Sequence, residues 1–265
     1  GGLNKNHYQD CEGGDRQQFG LPFNQDKLIS EILKVNKNLV LVLVSGNAVA
    51  MPWEKELPAI VQTWYLGSES GNAIANVLSG KVNPSGKLPF SFPVKLTDNA
   101  AHSFGALSYP GDSINQHYKE DILVGYRWHD TKKIKPLFAF GHGLSYSKYE
   151  YGKIATDKKS YTKEEVIKLT FTLKNTGSVD GAEAVQIYSS QPRASVLRPQ
   201  KELKAFEKIQ LKAGETKTVE IAVNVKDLAF YNDKTQSWDV EAGEFIISNA
   251  ASAGDVKSSV KILIR

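Results

Sequence analysis

Ile167-Lys168-Leu169-Thr170-Phe171-Thr172-Leu173 decides the fold of the second half of the chain. Apolar and polar residues alternate here with a period of two, as they do on a strand with one face on a core and the other in water. The same alternation returns at Val219, Ile221, Val223 and Val225, and again at Val260, Ile262 and Ile264. Turn formers punctuate it at Asn175-Thr176-Gly177, Ala213-Gly214-Glu215, Asn232-Asp233-Lys234 and Ala242-Gly243. With about seven short strands and no helical period between them, residues 149–265 are expected to form an all-β sandwich of immunoglobulin or fibronectin-III type.

Upstream of Tyr149 the period is lost. Residues 100–148 are rich in Gly, Pro and aromatics, including Tyr109-Pro110-Gly111, Gly125-Tyr126-Arg127-Trp128 and Phe138-Ala139-Phe140-Gly141-His142-Gly143. So many aromatics do not suit a flexible linker, and the stretch is expected to be a connector packed between domains. Residues 1–99 read as α/β. Leu28, Ile29, Ile32, Leu33 and Val35 fall on a helical face behind Asn24 as N-cap. Leu39 to Val44 is an unbroken apolar run, as expected of a strand buried on both faces of a parallel sheet. Ala59 to Leu66 reads as a second strand, and a second helix runs from about Gly71 to Leu78 and stops at Gly80. A doubly wound sheet has about five or six strands. This one is expected to be partial, incomplete at its N-terminal side, and too narrow to fold alone.

The totals fit a globular chain of 265 residues with 41% apolar and 23% charged residues. The net charge of +4 is spread along the whole length. Short runs such as Asp157-Lys158-Lys159 fit solvated turns, and no nucleic-acid partner is expected. The longest apolar run is too short to span a bilayer. A single cysteine, Cys11, rules out intrachain disulfides and Cys-rich zinc sites, and the five histidines lack ligand spacing. No metal and no cofactor are expected. The opening Gly1-Gly2 suggests a processed piece, whose expected location is periplasmic or extracellular.

General catalytic motifs are not met. Gly67-Ser68-Glu69-Ser70-Gly71 places Glu where a nucleophile elbow needs serine. More specific strings follow one another along the chain. They are Glu12-Gly13-Gly14-Asp15-Arg16 with Gly20-Leu21-Pro22; Val42 to Trp53; Trp64-Tyr65-Leu66-Gly67-Ser68-Glu69-Ser70-Gly71-Asn72-Ala73; Asn83-Pro84-Ser85-Gly86-Lys87-Leu88-Pro89; Phe138 through Tyr146; and Glu202-Leu203-Lys204-Ala205-Phe206. Together and in this order they resemble glycoside hydrolase family three, and the resemblance covers essentially the whole chain. The stretch Ile247-Ser248-Asn249-Ala250-Ala251-Ser252 departs from the family's usual Val-Gly-x-Ser-Ser.

The resemblance implies a retaining, β-glucosidase-like glycosidase with an aspartate nucleophile on an N-terminal barrel and an acid/base glutamate from the second domain. Retention needs two carboxyl groups about 5 Å apart across the scissile bond. This chain matches the C-terminal portion, so the barrel and its nucleophile are expected in the parent chain, and the piece alone is expected to be inactive. Glu12 matches the acid/base position. Gly13-Gly14 would let its loop approach a sugar closely, and Asp10, together with a barrel aspartate, would keep its proton on at neutral pH. Asp15 and Arg16 read as an ion pair or loop clamp, and Cys11 as a packed thiol.

Other substrate-binding residues, and the sugar and linkage cut, are not specified. Trp53 and Trp64 could line a sugar cleft, although packing is the favoured role. The expected partners are an oligosaccharide or glycoside and the barrel, with homo-oligomerisation left open. The alternative is a carbohydrate-binding or structural, dimerising module. A binding module would want an exposed aromatic row, and Tyr188, Phe206, Tyr231 and Trp238 fall into no obvious planar row.

Overall fold

The computed structural model describes residues 18–265. They fall into two compact units, one reaching Val82 and taking up Phe92–Asn99, the other made of Asn83–Ser91 and Ala100–Arg265. Strands dominate, helices are few, and a β-sandwich forms most of the second unit.

In the first unit, helix α1 (Gln25–Val35) buries Ile29 and Leu33. Asn24 occupies the N-cap position, but its backbone is left-handed and its side chain makes no cap. The neighbouring polar bonds run through Asp26, which accepts the Leu21 amide at 3.1 Å and the Trp53 indole N–H at 2.8 Å. Strand β1 (Val40–Leu43) pairs in parallel with β2 (Ala59–Gln62), Val40 opposite Ala59. β2 is shorter than the sequence suggests because Trp64 turns to φ 56°, a left-handed conformation that cannot continue a ladder. Helix α2 (Ser70–Leu78) follows, and Gly80 at φ 77° closes it. None of the α2 residues is buried, and Val40, expected inside, is 48% exposed. With only two paired strands among the described residues of this unit, the apolar run has too little sheet to cover it.

The second unit is built on alternation. Strand β3 (Tyr149–Tyr151), β4 (Ala155–Thr156), β5 (Ser160–Tyr161) and β6 (Val166–Asn175) come first, and β6 buries every second residue along its whole length. Then follow β7 (Gly181–Ser190), β8 (Glu202–Leu211), β9 (Thr216–Asn224), β10 (Phe230–Asn232), β11 (Ser237–Asp239), β12 (Gly243–Ser252) and β13 (Asp255–Ile264). One sheet runs β5-β13-β12-β7-β8, and in the other β6 is flanked by β3 and β4 on one side and β9 on the other. Their inner faces share one core that includes Ile167, Leu169, Leu173, Val185, Ile187 and Phe245. Each such side chain contributes roughly 1.5–3 kcal/mol by leaving water.

The stretch between Ala100 and Tyr149, irregular by sequence, contains a 3-10 turn at Ala101–Phe104 and one short α-helix, α3 (Tyr126–Thr131), which buries Trp128 and His129. β10 and β11 form a separate hairpin.

Candidate functional site

Glu12, expected as the acid/base, lies outside the described residues, as do Asp10, Cys11, Asp15 and Arg16. The described residues show instead what the other quoted strings do. In the second unit they meet in pairs.

The first pair joins 83–89 to 138–146. The Leu88 amide donates to the His142 carbonyl at 2.8 Å, and the Gly141 amide donates to the Leu88 carbonyl at 2.8 Å. Asn83 accepts from the Ser145 hydroxyl and the Tyr146 amide, both at 2.8 Å, and donates to the Asp180 carbonyl at 2.9 Å. Only glycine fits at 143, where a side-chain carbon would collide with the Gly86 carbonyl oxygen. Lys87 secures the strap. Its ammonium donates to the Gly143 carbonyl at 3.0 Å and stands 3.0 Å from Glu183. The Tyr151 hydroxyl donates to the same carboxylate at 2.8 Å. The Lys87 and Glu183 side chains are 13% and 6% exposed, so this is a buried ion pair with its remaining positions hydrogen-bonded. Burial, with the Glu183 charge beside it, pushes the Tyr151 phenol far up and keeps it protonated. Burial, reinforced by the Lys87 charge and opposed by Asp255, pushes His142 down, favouring its neutral ring.

The second pair joins α3 to the start of β8. The Leu203 amide donates to the Tyr126 hydroxyl at 2.8 Å, the Gln200 amide to the Thr131 hydroxyl at 3.0 Å, and Lys201 pairs with Asp130 at 2.7 Å. Glu202 sits among Arg198 at 2.7 Å, Lys204 at 3.6 Å and Arg127 at 3.7 Å. Burial works against its charge, but the Arg198 hydrogen bond and the three cations hold its carboxyl below the usual range. Burial, helped by Arg198 and Arg127 and opposed by Glu202, pushes Lys204 down. Tyr126 also stacks on Phe140 at 4.9 Å and meets Tyr188 edge-on at 5.9 Å. These strings are a frame. Lys87, Glu183, Arg198, Glu202, Asp130 and Lys201 are spent on each other and on main-chain groups.

In the first unit, Trp53 is 2% exposed and hydrogen-bonded to Asp26, so it packs and lines no cleft. Trp64 lies edge-on to Phe92 at 6.1 Å and, with Val44, Thr63, Tyr65, Leu66 and Ile74, borders a hollow of about 230 Å³. It opens beyond the carboxyl ends of β1 and β2, where α/β sheets hold ligands. At this size it falls short of the roughly 300–1,000 Å³ of ligand pockets. No sequence signal singled out Asp26, because an acidic residue in a first helical turn is ordinary. Among the described residues no group of three or more His, Cys, Asp or Glu is placed to hold a metal ion, and no helix is long and apolar enough to cross a membrane.

A strapped β-sandwich in one unit and a small parallel sheet in the other, with the strings quoted above, are the features expected of the C-terminal region of a glycoside hydrolase. The chain belongs to glycosyl hydrolase family 3: residues 2–146 match the Glycosyl hydrolase family 3 C-terminal domain, and residues 183–253 match the Fibronectin type III-like domain. It is 57% identical over 260 residues to Beta-glucosidase BoGH3A of Bacteroides ovatus, across 98% of this chain and 35% of that protein. To Thermostable beta-glucosidase B of Acetivibrio thermocellus it is 44% identical, across 96% of this chain and 33% of the relative. Among solved structures, a beta-glucosidase from Kluyveromyces marxianus in complex with glucose superposes with a TM-score of 0.90 at 41% identity, across 96% of this chain and 30% of that one. The chain thus spans about a third of the length of the curated relatives it matches.

Proposed function

We propose that this chain is the C-terminal portion of a retaining, β-glucosidase-like enzyme that removes terminal β-linked sugars from oligosaccharides or glycosides. One observation carries the reading: β-glucosidases match nearly the whole chain, among them one at 57% identity and one at 44%. Residues 1–99 are then the C-terminal side of an α/β sandwich domain, 100–148 a connector and 149–265 the fibronectin-III-like sandwich, with the barrel supplied by the rest of the parent.

In this reading Glu12 is the general acid/base. It protonates the glycosidic oxygen as a barrel aspartate attacks the anomeric carbon, and then takes a proton from the water that releases the sugar. The frame formed by Lys87, Glu183, α3 and β8 has a supporting role only.

The test is Glu12→Ala in the parent enzyme. Hydrolysis of unactivated disaccharides should fall by about 10² to 10⁴-fold, the usual worth of a positioned proton donor. Aryl glucosides with good leaving groups need no proton for the first step, so release of the aryl group should suffer far less. Azide needs no base and should restore turnover on them, giving the β-glycosyl azide. Near-normal disaccharide hydrolysis, or no azide rescue, would remove Glu12 from the mechanism.

A further inference from the structure

The β10–β11 hairpin holds two aromatic rings in water. Trp238 is 73% exposed and Tyr231 54%. They lie directly opposite each other in the ladder, on one face, with ring centroids 5.6 Å apart and planes at 75°. Two flat walls therefore meet in a corner. Its foundation is firm. Leu228 and Val240, at the two feet of the hairpin, are buried in the sandwich core. Phe230 lies under the Arg198 guanidinium at 5.9 Å, and Asp239 pairs with Lys163 at 3.0 Å. At the tip the Lys234 amide is tied to the Asn232 side chain at 3.2 Å, and the Thr235 and Ser237 hydroxyls meet at 2.9 Å.

The geometry points to a saccharide-binding platform, on which the apolar C–H face of a pyranose stacks against Trp238 while Tyr231 flanks the ring edge. Size selects this occupant over a protein. An aromatic residue buries about 150–250 Å², so the pair falls well short of the roughly 800 Å² that one side of a stable protein interface buries. A single sugar ring, by contrast, matches one indole face. Asn232 and Ser237, the next pair in the ladder, project from the opposite face, and the turn residues Thr235 and Gln236 carry a hydroxyl and an amide of the kind that bind sugar hydroxyls. Among the described residues Tyr231 and Trp238 face each other with no carboxylate between them in the ladder, so the platform binds without cutting. The choice of β-linked glucose units rests on the glycosidase reading above; the stacking itself does not.

The experiment is titration of the 265-residue chain with cellotetraose, read by calorimetry and by the Trp238 indole resonance in NMR. Saturable binding that shifts this resonance is expected, weakened by more than about tenfold in Trp238→Ala and also reduced in Tyr231→Ala. Phe206→Ala removes an aromatic that is equally exposed, at 73%, but stands on β8, and it should bind as the unaltered chain does. No binding, or binding that survives Trp238→Ala, overturns the platform. Hydrolysis plays no part in this readout, so the platform can fail while Glu12 stands as acid/base, and the reverse.

Discussion

Lys87 shows how much a single side chain can hold at the residue scale. It neutralises a carboxylate of β7 that is 6% exposed, which ties the 83–89 segment to the sandwich, and it holds that segment to 138–146 through the Gly143 carbonyl. Removing one partner of a buried pair strands the other, which costs about 3–5 kcal/mol. Lys87→Met should lower unfolding stability in urea by about that much, and Lys87→Met with Glu183→Leu should lose less, since no buried charge is left alone. His142 makes a pH prediction. Its folded pKa is depressed, chiefly by burial, so below the ordinary value of about 6.5 the unfolded chain takes up the proton more readily than the folded one. Its contribution is present above that value and is lost as pH falls from it toward the depressed one. His142→Gln should flatten this part of the stability profile in urea melts run across the window.

At the scale of elements, the alternation of β6 could be read directly because a strand's side-chain period is two. The partners of that face could not, because they come from strands far apart in sequence. Leu169, 1% exposed, should cost about 2–5 kcal/mol on change to Ala, since the packed sheets around it cannot close over the lost volume. The junction of α3 with β8 was illegible. Six residues are too few for a helical period to stand out, and nothing in Tyr126 or Leu203 announces their hydrogen bond. Tyr126→Phe leaves the Leu203 amide without that acceptor while keeping the ring stacked on Phe140. A loss of about 1–3 kcal/mol is expected, read by denaturant melts. α1 teaches a similar lesson. The apolar stripe placed the helix, yet the Asn24 side chain does not cap it, because cap chemistry depends on the backbone angles at one residue.

At the scale of the whole molecule, the strap formed by residues 83–91 groups with the sandwich although about sixty residues separate it from β3. A piece spanning 83–265 should therefore melt cooperatively. A piece cut at 149 loses Lys87 and Asn83, leaves Glu183 without its cation, and should melt at a clearly lower temperature. The described part of residues 1–99 offers two paired four-residue strands and an α2 with nothing buried, and a two-stranded sheet is marginal in water. Expressed alone they should show no cooperative transition by calorimetry.

The sequence by itself determined the alternating strands, their turns and the resemblance to a glycosidase family, because period and turn chemistry are local and strings are read in order. The tertiary structure alone decided that 83–89 locks into 138–146, that Glu183 is neutralised by a lysine 96 residues away, and that Tyr231 and Trp238 form a corner while Tyr188 is buried. Those outcomes depend on which distant segments the sheets bring together and which side chains they leave in water. No spacing along the chain encodes that.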